Sequence, residues 1–350
     1  MTHRRRVDVS DDFHFRIQSI ESPTLLLRHV STHGQATNRG ELPDAFFALM
    51  LSFHPGGYSS VEPLTNSGHN PPHPTLHWHF GNRSCINHHC NSKATYLRLE
   101  SAALLRELSA QAIAVSQLAS LQGVAAPASL VQLIDSLGRQ LASTEFKQHR
   151  PITETFFNRL GQELRHLLGP PKPSNANAAG HASMAIAWMK TQLSTPINLQ
   201  QLAQELCLTP RSVQACFKSQ LAMSPIRYLK LARISALRQI LWDRDLADQS
   251  IKKLLDRCGL SDTSLTRLYY KDVYGACPRE DRHRGQSTKS QYHGVLEDSL
   301  YRQFDSPEMA IRYLETLNHS NIMNNDRFTV AITITSSIKG ANHQIPQRAT

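Results

Sequence analysis

Two groups of residues in this 350-residue chain have types and spacings suited to chemistry. One is a run of metal-ligand types near the amino end: His69, His73, His77, His79, His88 and His89, with Cys85 and Cys90 among them. Imidazole nitrogens and thiolates are the ligands zinc prefers. His77 and His79 fall on one face of the chain if this stretch is a strand. A site can be drawn from His77, His79, Cys85 and Cys90. Their spacing is not that of a known finger, and Phe80, Gly81, Asn82 and Arg83 stand where a metal-dependent cupin enzyme would want a carboxylate. Loops readily carry unliganded imidazoles. A metal sensor or metal-dependent enzyme is therefore kept as the alternative reading.

The other group can read nucleic acid. Arginine pairs with guanine and glutamine with adenine through two hydrogen bonds in the major groove, which singles out Arg211, Gln214, Thr266 and Arg267 for base edges. Around them stand Thr209, Ser212, Lys218, Arg227, Lys230, Lys252, Lys253, Thr263, Ser264 and Lys271. Cations among these neutralise phosphates, and hydroxyls and helix N-termini, expected at Thr209 and Asp262, add contacts to the backbone.

The elements that must hold this second group lie between Asn198 and Arg284. Leu199, Leu202, Ala203 and Leu206 have the spacing of an amphipathic helix capped by Asn198. After a break at Cys207-Leu208, Thr209-Pro210 supplies a hydroxyl cap and a proline at the first helical position. Val213, Cys216 and Phe217 then share one face, leaving Arg211, Ser212, Gln214 and Lys218 outward, the shape of a helix-turn-helix. The same order returns from Ser250: Ile251, Leu254 and Leu255 lead to Cys258-Gly259, and Ser261-Asp262 is expected to cap a helix whose buried face is Leu265, Leu268, Tyr269 and Val273. Ser224-Pro225 to Trp242 bridges the units without a further Pro or Gly. Its roughly 18 residues span about 27 Å, close to the roughly 34 Å between successive major-groove faces.

This ordered set resembles the AraC/XylS transcriptional regulators over roughly His181 to Arg284. The resemblance rests on Leu202-Ala203, Phe217-Lys218, Ser224-Pro225 with Tyr228-Leu229, Arg233 with Ala236 and Leu241, Ser250-Ile251, Gly259 with Ser261-Asp262 and Ser264, and Gly275 with Pro278. It implies a mainly α DNA-binding domain with two helix-turn-helix units joined by a linker helix. It also implies an effector-binding β-barrel near the amino end, followed by helices that dimerise. Ala215 stands where the family often has arginine. Near Tyr269-Tyr270 the second recognition helix fits the family only with a one-residue ambiguity.

Composition agrees with a polyanionic partner. The chain has a formal net charge of +10, and residues 181–284 hold 16 Lys and Arg against 9 Asp and Glu, a concentration on the region where the helices fall. Six cysteines form no disulfide framework, as expected of a reducing cytoplasm. No secretory signal is expected, and the longest apolar block, Ala45 to Leu51, is short of a membrane span. There is no phosphate-cradling glycine loop and no Gly-x-Ser-x-Gly elbow, so neither catalytic residues nor a cofactor is expected.

Residues 1–168 are expected to form an effector-binding and dimerisation domain of α+β class, with short strands and long loops to about residue 98, a degenerate barrel, and three helices over 102–123, 129–143 and 151–169. Residues 169–180, Pro- and Asn/Ala-rich, read as a linker. Residues 181–284 are the DNA-binding domain, led by a helix from His181 to Leu193. Residues 285–350 read as a partly disordered extension with a helix from Ser306 to Leu317 and a strand around Phe328 to Ile334. The partners expected are double-stranded DNA, an unidentified small-molecule effector, a second copy of the chain, and RNA polymerase if the protein activates, with no membrane.

Overall fold

The computed structural model describes residues 8–9, 14–43, 45–53, 58–61, 74–80, 84–144, 149–171, 173–285 and 300–303. The expected helix from Ser306 and strand around Phe328, and His69 and His73, lie outside them.

The amino-terminal part is antiparallel sheet. Its strands are β1 (Asp8–Val9), β2 (His14–Glu21), β3 (Leu25–His33), β4 (Gln35–Glu41), β5 (Phe46–Ser52), β6 (Tyr58–Val61), β7 (Thr75–Phe80), β8 (Ser84–Cys90) and β9 (Lys93–Glu100). A four-stranded sheet has the order β1-β4-β8-β6. A seven-stranded sheet has the order β10-β7-β5-β9-β3-β2-β11, where β10 is Val124–Ala125 and β11 is Leu300–Gln303. β5 is an interior strand of the larger sheet, between β7 and β9, and all seven of its residues are buried, which is why it is an unbroken apolar run rather than an alternating one. Register places Leu25 opposite Leu99, and both Leu27 and Leu49 opposite Leu97, so the leucines of three strands fill one core. β11 pairs with β2 from the far end of the chain, giving the carboxy-terminal extension an ordered strand.

Helices cover this sheet and continue from it. β9 passes straight into α1 (Ser101–Ala110); a 3-10 helix (Val115–Leu121) precedes α2 (Ala128–Ser143) and α3 (His149–Leu168). α2 lies close on β3, since a Cβ added at Gly138 would come within 3.1 Å of Leu27. The helix expected over 102–123 is thus broken: Ala112 takes φ 53, a left-handed conformation that ends α1.

α4 (Pro173–Thr191) begins well before the helix expected at His181. Most of residues 169–180 are helical, because Pro173 can occupy the first turn and the alanines that follow favour helix. After α4 come α5 (Leu199–Glu205), α6 (Pro210–Leu221), α7 (Pro225–Leu241), α8 (Ile251–Arg257) and α9 (Ser264–Tyr274), with a closing helix over residues 278–285. Ala182, Ala185, Ile186 and Met189 on α4 join Leu202, Val213 and Phe217 in the same core as α1 and the sheet leucines. Phe46, Ala48 and Ala102 share a second core with Leu237, Leu241, Leu254, Tyr270 and Tyr274. No described helix is long and apolar enough to cross a membrane.

Candidate nucleic-acid interface

Local chemistry starts each helix of the two units where the residues require. Asn198 Oδ1 accepts from Gln201 N at 2.8 Å and Gln201 Oε1 accepts from Asn198 N at 3.1 Å, a reciprocal cap on α5. Thr209, Ser224 and Ser250 cap α6, α7 and α8, each hydroxyl accepting from the backbone N–H three residues on. Cys207 at φ 53 and Gly259 at φ 65 turn the chain inside the two units. At Gly259 no side chain fits, for an added Cβ would lie 2.2 Å from the Leu193 carbonyl oxygen. The αL turn therefore needs glycine here for both space and dihedral.

The second recognition helix departs from expectation. Thr263 caps α9, accepting from Thr266 N at 3.1 Å. Asp262 instead holds Arg267 through two bonds, Nε–Oδ1 at 2.7 Å and Nη2–Oδ2 at 2.9 Å. That hydrogen bond and charge lower the Asp262 pKa and raise that of Arg267. The buried face of α9 is Tyr270, Val273 and Tyr274, whereas Leu265 and Leu268 are 73% and 56% exposed and Tyr269 is half-buried. Aromatic burial wins over leucine burial here because the tyrosine hydroxyls find acceptors inside: Tyr270 Oη donates to Asp281 Oδ2 at 2.6 Å, and Tyr274 Oη donates to Glu100.

Once that register is set, the two recognition helices match. From Arg211 to Leu221, α6 runs exposed, exposed, buried, exposed, exposed, buried, buried, exposed, exposed, buried, buried. From Ser264 to Tyr274, α9 repeats the order, with Thr266 and Tyr269 half-buried where α6 is buried. Arg211, Ser212, Gln214, Ala215 and Lys218 thus correspond to Ser264, Leu265, Arg267, Leu268 and Lys271, all exposed. The one-residue ambiguity has a structural origin: α9 starts one residue later than α6 relative to this pattern.

Of the remaining sequence-derived contacts, Thr209, Arg227, Lys252, Lys253 and Thr263 are exposed at helix starts or on outward faces. Lys230 is exposed but its Nζ sits 3.4 Å from the centre of the Tyr269 ring, a cation–π contact joining α7 to α9. Ser212 and Thr266 each share a hydroxyl–hydroxyl bond with the capping threonine, at 2.8 and 3.0 Å.

A buried polar network, unannounced by any motif, sets how α7 and α9 sit on the sheet domain. Arg238 of α7 bonds Glu21 of β2 at 2.8 Å, the Pro23 carbonyl at 3.0 Å and Asp281 at 3.2 Å, and stacks over Trp242 and Tyr274 at 4.7 Å. Arg98 of β9 also bonds Glu21, at 3.0 Å. Burial pushes the Glu21 carboxyl up, but Arg284, Arg238 and Arg98 outweigh it and hold the pKa at about 2. Glu100 goes the other way: burial raises it despite hydrogen bonds from Ser235 and Tyr274 and the fields of Arg238 and Arg98. Arg238 and Glu21 are 217 residues apart, too far for any sequence pattern to pair them.

The alternative metal set is only partly gathered. His77 and His79 share one face of β7, both buried, and burial with the neighbouring His77 pushes His79 down to about 4. Gln122 Nε2 lies 3.3 Å from His77 Nδ1. Cys90 ends β8 half-buried; Cys85 belongs to β8 by its backbone, and its side chain lies outside the description. Among the described residues no three His, Cys, Asp or Glu side chains converge as a metal site.

Two helix-turn-helix units, joined by one helix and presenting matching outward faces, define a DNA-binding class of domain. Residues 202–284 match a helix-turn-helix domain family. The chain is 26% identical over 160 residues to the probable thc operon regulatory protein of Rhodococcus erythropolis, covering 43% of this chain and 47% of that protein. It is 24% identical over 157 residues to the transcriptional activator RhaS of Escherichia coli, covering 44% and 55%. The chain thus spans about half the length of the curated relatives it matches. Among solved structures it is similar to an AraC-type DNA-binding regulator of Chromobacterium violaceum, at 22% identity and a TM-score of 0.30 over 32% of this chain and 97% of that one. It is also similar to ToxT of Vibrio cholerae, at 9% identity and a TM-score of 0.37 over 79% and 99%.

Proposed function

We propose that the protein is a sequence-specific DNA-binding transcriptional regulator of the AraC/XylS type and not an enzyme. It reads two adjacent major grooves of one duplex with α6 and α9. The observation that carries this is the matched outward face of the two recognition helices, separated by a 17-residue helix, α7, about 26 Å long. Phosphate neutralisation by Arg227, Lys252, Lys253 and Lys271 supplies salt-dependent affinity. Arg211, Gln214 and Arg267 supply base discrimination. Residues 1–168 respond to a small-molecule effector and carry the contact to a second copy, and an activator of this type would meet RNA polymerase. The compartment is the cytoplasm.

A cavity of about 140 Å³, lined among others by Thr24, Arg106, Phe157, Met189, Tyr228 and Gln239, opens between the sheet domain, α3, α4 and α7. An occupant would touch both the amino-terminal domain and the helix that spaces the recognition helices.

Selection from random duplexes tests the reading. Enrichment of one sequence longer than a helical turn is expected. Recovery of bound duplexes without a consensus would point to binding through the backbone alone and would refute the sequence-specific assignment.

A further inference from the structure

Leu265 and Leu268 are the most exposed large apolar side chains among the described residues, at 73% and 56%. They stand three residues apart on the first two turns of α9, so they lie side by side on its surface. Their counterparts on α6 are Ser212 and Ala215. The helix could have buried them by a small rotation. Instead it buries Tyr270 and Tyr274 on internal acceptors, and this holds the leucine pair outward.

The surroundings favour a polyanion over an apolar protein surface. Ser264, Lys271 and Arg267, the last in its ion pair with Asp262, flank the pair on α9, and Lys252 and Lys253 are exposed on α8. Asp272, exposed on the same side one turn further along, falls where a recognition helix leaves the groove, since its N-terminal residues are those that meet base edges. An apolar centre inside a cationic and hydroxylic rim matches a major groove whose floor carries methyl groups between walls of phosphate. Of the four bases only thymine presents such a group there, and a leucine has no hydrogen bond with which to read anything else.

We propose that Leu265 and Leu268 read thymine 5-methyl groups, so that the two recognition helices use different chemistry: hydrogen bonds from Arg211 and Gln214 in one groove, methyl contacts added to those of Arg267 in the next. This rests on the DNA-reading function proposed above. The operator then requires thymine at one or two positions in the groove met by α9.

Replacing thymidine by deoxyuridine removes the methyl and leaves pairing unchanged, which makes the test direct. The probe is the duplex recovered by selection, with each thymine of the α9 groove changed singly and affinity measured at constant salt. Loss of about fourfold is expected at each methyl in contact, the worth of one buried carbon. The variant with both Leu265→Ala and Leu268→Ala should bind the thymine duplex more weakly and bind thymine and uracil duplexes alike. Arg211→Ala should weaken binding yet keep the thymine–uracil difference. Both leucines are exposed, and an unchanged thermal melt of the double variant confirms that folding is not the cause. Equal binding of every uracil duplex by the unaltered protein, or a double variant that binds as the unaltered protein does, overturns the proposal while sequence-specific binding stands. Failure to recover any consensus overturns both, and shows before any base is changed.

Discussion

Replacing Arg238 by Met would remove the charge at the centre of the polar network while keeping most of the volume. Arg238 is 2% exposed and is bound to Glu21, Asp281 and the Pro23 carbonyl, with two aromatic rings against its guanidinium. Its loss takes one of two arginines from Asp281, which is 0% exposed and keeps Arg284 and the Tyr270 hydroxyl, and one of three arginines from Glu21. Breaking one side of a buried pair costs about 3–5 kcal/mol. At about 2 °C per kcal/mol for a chain of this size, the melting temperature should drop by roughly 6–10 °C. The pH dependence carries a second signature. Glu21 is held at about 2 against an ordinary 4.5, so its contribution, about 3 kcal/mol by linkage, is complete above pH 4.5 and is lost as pH falls toward 2. In Arg238→Met the carboxyl rises, that contribution shrinks, and the gap between the two proteins narrows on acidification. Thermal melts followed by circular dichroism between pH 7 and pH 3 read both effects. A melting temperature within 2 °C of the unaltered protein at pH 7, or a gap that widens in acid, would refute the role given to the network.

Other substitutions separate the remaining parts of the account. Gly259→Ala should cost more than 2 kcal/mol in urea unfolding, combining the positive-φ penalty of about 1–2 kcal/mol with the clash on Leu193; Gly123→Ala, at φ +74 with open space around it, should cost only the former. Thr209→Ala removes the cap of α6 and should destabilise by about 1 kcal/mol, which the same unfolding curves resolve. Arg267→Ala should weaken operator binding about tenfold or more and relax specificity. Asp262→Asn, which frees Arg267 from its ion pair, should tighten binding and steepen the salt dependence, and weaker binding would show that the pair itself positions the arginine. Lys253→Ala should weaken cognate and scrambled duplexes alike.

Where local chemistry decides the structure, it was readable in the residues. Asn198, Thr209-Pro210, Ser224-Pro225 and Ser250 each mark a helix start because capping bonds span only three residues. The buried faces of α5 and α6 were readable for the same reason, since Leu202, Ala203, Val213, Cys216 and Phe217 fall on a single apolar stripe at helical spacing. α9 was misread because Leu265, Leu268, Tyr269, Tyr270 and Val273 offer two apolar stripes, and periodicity cannot choose between them. The choice is made by Asp281 and by Glu100, the latter 174 residues away.

The sheet domain was opaque for a related reason. β4 and β8 are polar throughout much of their length and read as loop, yet they pair from Gln35–Cys90 to Glu41–Ser84. Register of this kind is set by partners far along the chain, not by neighbours. The stretch at residues 169–180 had the composition of a linker but carries a helix from Pro173, because alanine and an N-terminal proline suit a helix as well as they suit a connector.

The central claim is that α6 and α9 enter successive major grooves of one duplex. Hydroxyl-radical and methylation-interference footprinting on the selected operator tests it most directly. Two protected windows on one face, about 10 base pairs apart centre to centre, are expected, with Arg211→Ala fading one window and Arg267→Ala the other. A single protected groove, or both variants fading the same window, would contradict the account.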